Sequence, residues 1–261
     1  MARKVFLWSA SRCISTAFER SMMEIQNTHF LHEPYTASYY YGPERQSSRY
    51  VSTPVDPNVS YQERFQLLTK NYEGMQAVFS KNLAYTIENH FEELLRTELR
   101  EFQHTFLIRN PRKSVISLYR VSLDPLFLNW DFFDPVEAGF KQLYDLYQFI
   151  KIHLDQQPVV IDADDLLVNP AGTMKAYCKA TNLPFSEDML QWEPGLIPTC
   201  PFSVWHSKMA KSAGFIKQTA EQLENFENLD DFPIEVQTCV KESESYYELL
   251  KKQKTLPINV N

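Results

Sequence analysis

Short apolar runs alternate with amphipathic stretches along most of the chain. Lys4 to Trp8 (Lys-Val-Phe-Leu-Trp) is the first run, and an uninterrupted apolar segment of that length predicts a strand buried on both faces. Residues 16–26 carry Phe18, Met22 and Ile25 at helical spacing. Residues 29–31 predict a second short strand, ending at His32-Glu33-Pro34-Tyr35. Further strand-like segments fall at 76–80, 105–108 and 158–161, with helical periodicity at 60–72, 88–102, 135–154 and 235–252. The boundaries carry their own chemistry. Ser60 and Glu63 form a capping-box pattern, and Gly74 is placed to end that helix. Asn110-Pro111 and Asn169-Pro170 each put a capping side chain before a proline at the first helical position. Residues 36–58, rich in Tyr, Ser and Pro, read as a long surface loop of the kind that forms lids or binding loops.

Strands alternating with helices predict an α/β fold in three layers: a central parallel sheet flanked by helices, as a single domain over 1–261. Ligands bind such sheets beyond the carboxyl ends of the strands. Three predicted strand ends carry polar clusters, at Ser9 to Thr16, His32-Glu33 and Arg109 to Ser117.

Composition narrows the choices. A chain of 261 residues can bury one substantial core. A net charge of −7 argues against nucleic acid or an anionic membrane as the main partner, although a local basic cleft still suits a small anion. No apolar stretch has the length of a membrane span, and Met1-Ala2-Arg3-Lys4 leads into a strand without signal-peptide features, so a cytoplasmic protein is expected. Cys13, Cys178, Cys200 and Cys239 are scattered, and the six histidines do not cluster; reduced thiols and no metal site are expected.

In the first cluster, Ser11-Arg12-Cys13-Ile14-Ser15-Thr16 joins a strand to a helix, where backbone N–H groups and hydroxyls favour an anion and Arg12 adds a fixed cation. Ser15 reads equally well as a plain helix cap. The Gly-Lys-Ser/Thr ending of a nucleoside-triphosphate loop is missing. In the second cluster, Arg109 ends a strand and Ser117 lies two turns into the next helix, close enough for both to touch one phosphate. Lys113 reads as a solvated surface charge.

Together the two clusters resemble the cofactor elements of the sulfotransferase family, a P-loop α/β fold. The first is similar to its 5′-phosphosulfate loop and the second, an Arg-Asn-Pro with Ser eight residues after the Arg, to its 3′-phosphate element. Val159 to Leu166 followed by Asn169-Pro170 extends the likeness. The Ser-Arg-x-x-Ser-Thr-Ala start with His-Glu-Pro-Tyr points to a divergent group of small members. The resemblance implies 3′-phosphoadenosine 5′-phosphosulfate as donor, held by Ser11, Arg12, Cys13, Ile14, Ser15 and Thr16 and by Arg109 and Ser117. It places Lys81 at the family's strand-end lysine, and Lys208 and Lys211 in its late basic loop, which lacks the usual Arg-Lys-Gly here. Cys13-Ile14 replaces the usual Ser-Gly, removing the residue that most easily takes positive φ. Leu83 stands where many members carry a catalytic histidine.

Arg12 and Lys81 are thereby expected to offset charge on the transferring oxygens, and a proton acceptor is still needed. Glu33 is the first candidate and His32 the second, since neighbouring side chains on an extended segment face opposite ways. Tyr35, Tyr39, Phe127 and Trp130 are candidates for lining an acceptor pocket, although aromatic stripes are more often core than site. The expected reaction is sulfuryl transfer to the hydroxyl of a small amphipathic or aromatic molecule, with a second copy of the chain as a candidate partner. The runner-up is a kinase using Asp162 to Asp165 at a strand end to hold magnesium, and a third reading is a nucleotide-binding relative without catalysis.

Overall fold

The structure is a computed structural model, and it describes residues 2–124, 130–195 and 210–258. The apolar runs become strands: β1 (Arg3–Ser9), β2 (Thr28–His32), β3 (Ala77–Leu83), β4 (Gln103–Ile108) and β5 (Val159–Asp162). They form one five-stranded sheet in the order β2-β3-β1-β4-β5, and every pairing is parallel. Val5, Phe6, Leu7 and Trp8 are fully buried, as befits a central strand covered on both faces.

The helices are α1 (Ser15–Met22), α2 (Pro34–Tyr41), α3 (Tyr61–Thr69), α4 (Thr97–Arg100), α5 (Pro111–Ser122), α6 (Phe140–His153), α7 (Ala163–Val168), α8 (Pro170–Thr181), α9 (Ala220–Glu224) and α10 (Ile234–Lys251). Adjacent residues of a strand point to opposite faces, so β4 reports on both layers. Its Phe106 ring meets Tyr147 of α6 edge-on, while the neighbouring Thr105 hydroxyl bonds the Tyr177 hydroxyl of α8 at 3.1 Å. Phe18 of α1 packs edge-on against the same Tyr177, which puts α1 and α8 on one face. On the other face α10 packs along α5 and α6. The fold is therefore the three-layer α/β arrangement expected.

The capping chemistry holds at the helix starts, whereas Gly74 does not end α3, which stops at Thr69 with Lys70 in the cap position. Asn110 accepts from the Arg112 amide, Asn169 from the Gly172 amide and Ser60 from the Glu63 amide. Other expectations fail. Residues 36–41, placed at the start of a long loop, belong to α2, which begins at Pro34. Pro34 at its first position fits the fixed proline φ, and Tyr35, Tyr39 and Tyr40 are buried on several sides, so the segment lacks the one-sided period that marks a helix in sequence. Residues 88–102 do not form one amphipathic helix. A 3₁₀ stretch, Ala84–Leu95, is interrupted by non-helical backbone at Asn89 and His90 before the short α4. At the interruption His90 stacks on Tyr61, with ring centroids 3.6 Å apart.

Four strands deliver their carboxyl ends to one place. β1 leads to Ser11, β2 to Glu33, β3 to Lys81 and Leu83, and β4 to Arg109, with β1 at the point where the strand order reverses.

Candidate active site

A cavity of about 480 Å³ opens over those strand ends. Its floor is the segment from Ser11 to Ala17, without Cys13. Ile14 occupies the cap position of α1 with left-handed backbone (φ 57°), and no side chain caps the helix. The amides of a helix's first turn have no acceptor within the helix, so this end offers donors and a positive dipole to the cavity. Arg12 also takes left-handed backbone (φ 60°). Two non-glycine residues thus adopt the conformation that the absent glycine would have taken without strain, at a cost of order 1–2 kcal/mol each.

The loop is held from behind by residues 137 and 138. Ser11 donates its amide to the Ala138 carbonyl at 3.2 Å and its hydroxyl to the Glu137 carbonyl. From β4, Arg109 donates to the Arg12 carbonyl at 2.9 Å, and Arg12 Nε donates to the Ser117 hydroxyl at 3.2 Å. The two guanidiniums share a small space. Burial lowers the pKa of both, and the charge of Arg109 lowers that of Arg12 further. Arg109 Nε is buried without a hydrogen-bond partner among the described residues. Half-buried cations that repel each other, one of them keeping an unused donor, are the setting that an anion relieves.

Lys81 is 1% exposed and forms an ion pair with Glu33 at the mouth of β3, while the Thr36 hydroxyl donates to the other Glu33 oxygen at 3.1 Å. Glu33 sits in left-handed backbone (φ 45°) where β2 turns into α2. It is the one carboxylate among the described lining residues, against four cations: Arg12, Lys81, Arg109 and Lys113. The remaining wall is aromatic and apolar. Tyr40, Tyr41, Tyr50 and Tyr85 with Trp130 form one side, and Leu83, Leu118 and Leu167 contribute elsewhere. Trp130 donates to the Tyr50 hydroxyl at 2.7 Å.

That aromatic wall rests on a buried network. Arg49 grips Glu137 with two bonds, Nε–Oε1 at 2.7 Å and a terminal nitrogen to Oε2 at 2.8 Å, and its guanidinium lies 3.6 Å over the Trp130 ring. The Tyr40 hydroxyl donates to Glu137 at 2.9 Å and lies 3.0 Å from the Tyr85 hydroxyl. Burial pushes the Glu137 carboxyl up, and Arg49 works in the opposite direction.

A model of the sulfotransferase domain family matches residues 3–226. The chain belongs to that family. The sulfotransferase domain of the curacin biosynthetic pathway is similar in fold, with a TM-score of 0.53 at 17% identity over 98% of this chain and 99% of that one. The sulfotransferase of Alicyclobacillus acidocaldarius gives 0.51 at 15% identity over 74% and 88%. Two Arabidopsis thaliana proteins, branched-chain-amino-acid aminotransferase-like proteins 2 and 1, are 28% identical over 228 and 217 residues, covering 81% and 80% of this chain. This chain spans only 36% of the length of each of them.

Set against this sulfotransferase domain, the expected site residues divide clearly. Ser11, Arg12, Ile14, Ser15, Thr16, Glu33, Lys81, Arg109, Ser117 and Trp130 all line the cavity. Cys13 does not: it turns into the core, fully buried, and burial pushes its thiol up to about 12. His32 lies behind Glu33 rather than at the surface of the cavity. Tyr35 and Tyr39 are one layer back. Tyr35 stacks between Trp8 and Tyr61, and Tyr39 meets Tyr85 edge-on. Lys211 is exposed and outside the lining, and Phe127 and Lys208 lie outside the described residues.

Lys113 corrects the sequence reading, because it lines the cavity and donates to Asp164 at 3.3 Å rather than standing free in water. Tyr50, Tyr85 and the Arg49–Glu137 pair were missed, since no local pattern marks residues whose partners lie tens of positions away. The late segment also reaches the site through Ser212, Gly214, Phe215, Ile216 and Gln218. It is held by an isolated antiparallel bridge, Gln191 to Gly214, where a side chain at 214 would press within 2.7 Å of the Leu190 carbonyl.

Proposed function

We propose that the protein transfers a sulfuryl group from 3′-phosphoadenosine 5′-phosphosulfate to the hydroxyl of a small, partly aromatic acceptor. The observation that carries this reading is the arrangement of four cations and an uncapped helix end around one carboxylate in a single cavity. The donor supplies an activated sulfuryl group, whose transfer needs in-line placement and charge compensation much as phosphoryl transfer does. Arg12, Lys81 and the first-turn amides of α1 compensate charge on the sulfate and 5′-phosphate side. Arg109 and Ser117 hold a second phosphate, which separates this donor from ATP, and Lys113 adds charge nearby. Glu33 takes the proton from the acceptor hydroxyl. The tyrosines and Trp130 give that acceptor a flat, largely apolar seat with hydroxyls at its edge.

The kinase alternative asks for carboxylates free to hold magnesium, and those at the end of β5 are engaged. Asp162 accepts from the Asp164 amide at 3.0 Å and the Tyr247 hydroxyl at 2.9 Å, Asp164 pairs with Lys113, and Asp165 with Lys254.

Calorimetric titration with 3′-phosphoadenosine 5′-phosphate, beside ATP and 5′-AMP and with or without magnesium, tests the reading. Selective, metal-independent binding of the bisphosphate is expected. A preference for magnesium-ATP, or no binding at all, would overturn it.

A further inference from the structure

Behind Glu33 stands a second carboxylate that transfer chemistry alone does not call for. Glu19 lies on α1, one turn below the cavity floor, and is fully buried. Its Oε2 meets His32 Nδ1 at 2.5 Å. His32 ends β2 in register with Lys81, its ring is fully buried, and its Nε2 lies 3.9 Å from Glu33 Oε1. A line of polar groups thus runs from α1 through β2 to the cavity: Glu19, His32, Glu33, then Lys81.

The backbone explains how two neighbouring residues come to share that line. On an extended strand His32 and Glu33 would point to opposite faces. The left-handed turn at Glu33 swings its carboxylate back over the end of β2, at a conformational cost of order 1–2 kcal/mol for a residue with a side chain. Burying Glu19 and the imidazole is itself unfavourable beside an apolar pair of similar size. Strained backbone and a buried polar pair directed at one carboxylate mark a functional arrangement rather than a packing solution.

We propose that Glu19 and His32 are positioning residues for Glu33. Glu19 holds His32 with Nδ1–H donating to its carboxylate, which leaves Nε2 facing Glu33 as an acceptor. This rests on the reading of Glu33 as the base. In the step itself the acceptor O–H bond breaks as its oxygen bonds sulfur, and the proton passes to a Glu33 oxygen. The same proton then moves to His32 Nε2, giving an imidazolium between the carboxylates of Glu19 and Glu33 and restoring Glu33 as the partner of Lys81. It returns to water through Glu33 once product has left. The 3.9 Å gap becomes a hydrogen bond with about 1 Å of side-chain movement. Among the described residues, the charged groups that face His32 are Glu19 from α1, Glu33 from the turn and Lys81 from β3, with Arg12 facing Glu33 across the floor.

The tautomer can be read in the free protein. In the nitrogen-15 spectrum of histidine-labelled wild type, with His32 assigned by its loss in His32→Gln, we expect a neutral ring protonated at Nδ1 and bare at Nε2. Glu19→Gln should lose that preference. An Nε2–H tautomer in wild type overturns the proposal whatever the fate of the donor reading. Kinetics supply the second readout, with sulfur-35 donor and 2-naphthol as the hydroxyl probe. His32→Gln and Glu19→Gln should lower kcat about tenfold, less than the roughly 10²–10⁴-fold of a lost base. Both should move the acid limb of the kcat profile to lower pH and leave donor KM and bisphosphate affinity within twofold. Unchanged kcat and an unchanged acid limb in both variants would also overturn it. Failure of wild type to bind the bisphosphate would instead remove the proposed function, leaving the tautomer result to be judged by itself.

Discussion

Arg109 and Glu33 carry opposite predictions at the scale of single residues. Arg109 is half-buried, repels Arg12 and keeps a buried Nε without a partner among the described residues, so under the proposed function truncation removes the cation that would hold the donor's second phosphate. Arg109→Ala should weaken binding of 3′-phosphoadenosine 5′-phosphate by a factor of roughly 10² or more. Calorimetry should show a much smaller loss for 5′-AMP, which lacks the second phosphate. Arg109→Lys should restore only part of the affinity, because an ammonium cannot reproduce a two-pronged grip. Glu33→Gln removes the only acid among the described lining residues. It should cost about 10²–10⁴ in kcat while the bisphosphate binds as well as before or more tightly, since a like charge has left an anion site. Weaker binding in Glu33→Gln would show that the carboxylate orders the loop instead. The loop also bears on what sequence can show. The missing glycine suggests an impaired phosphate loop, yet Arg12 and Ile14 take left-handed backbone themselves. The bonds from Arg109 and from residues 137 and 138 enforce that conformation, and none of them is local in sequence.

Between elements, the Arg49–Glu137 pair ties the segment after α2 to the short 3₁₀ turn Pro135–Ala138 that supports Ser11. Both side chains are buried, so removing either leaves a charge without its partner. Glu137→Ala should cost roughly 3–5 kcal/mol, which for a chain of this size lowers Tm by about 10 °C. Arg49→Ala should cost a similar amount. The double variant should fall well short of the sum in thermal melts, whereas full additivity would mean that the two do not act as a unit. Helix α2 belongs to this scale too. It was illegible because a tyrosine-rich run buried on several sides has no polar face to set a period, whereas α10 lies within one residue of its predicted limits.

For the whole molecule, acid stability turns on groups that do not line the cavity. His104 accepts from the Trp8 indole at 2.9 Å in the core, and burial lowers its pKa to about 3 from an ordinary 6.5. The unfolded chain therefore binds the extra proton between those values. The stability that His104 contributes is complete above about 6.5 and is lost as pH falls toward 3. Asp162, raised by burial to about 6 from 3.8, acts oppositely and favours the folded state on acidification through that narrower interval. His104→Gln keeps an acceptor for Trp8 but cannot titrate. Its Tm relative to wild type should rise steadily from pH 7 to pH 4, and a constant difference would mean that His104 does not remain neutral in the fold.

What the sequence determines by itself here is everything that local periodicity and backbone chemistry encode. The strand runs, the proline-and-asparagine helix starts, the order of elements and the two basic, hydroxyl-bearing segments at strand ends are legible because each depends on neighbours within a few residues. Tertiary structure alone decided which side chains share the cavity. It placed Glu33 rather than His32 at the surface, turned Cys13 into the core, drew Lys113 out of solvent and set Arg49 on Glu137, 88 residues away. The physical reason is that convergence follows from strand order and from left-handed turns imposed by distant hydrogen bonds, and neither leaves a mark in the spacing of apolar and polar residues along the chain.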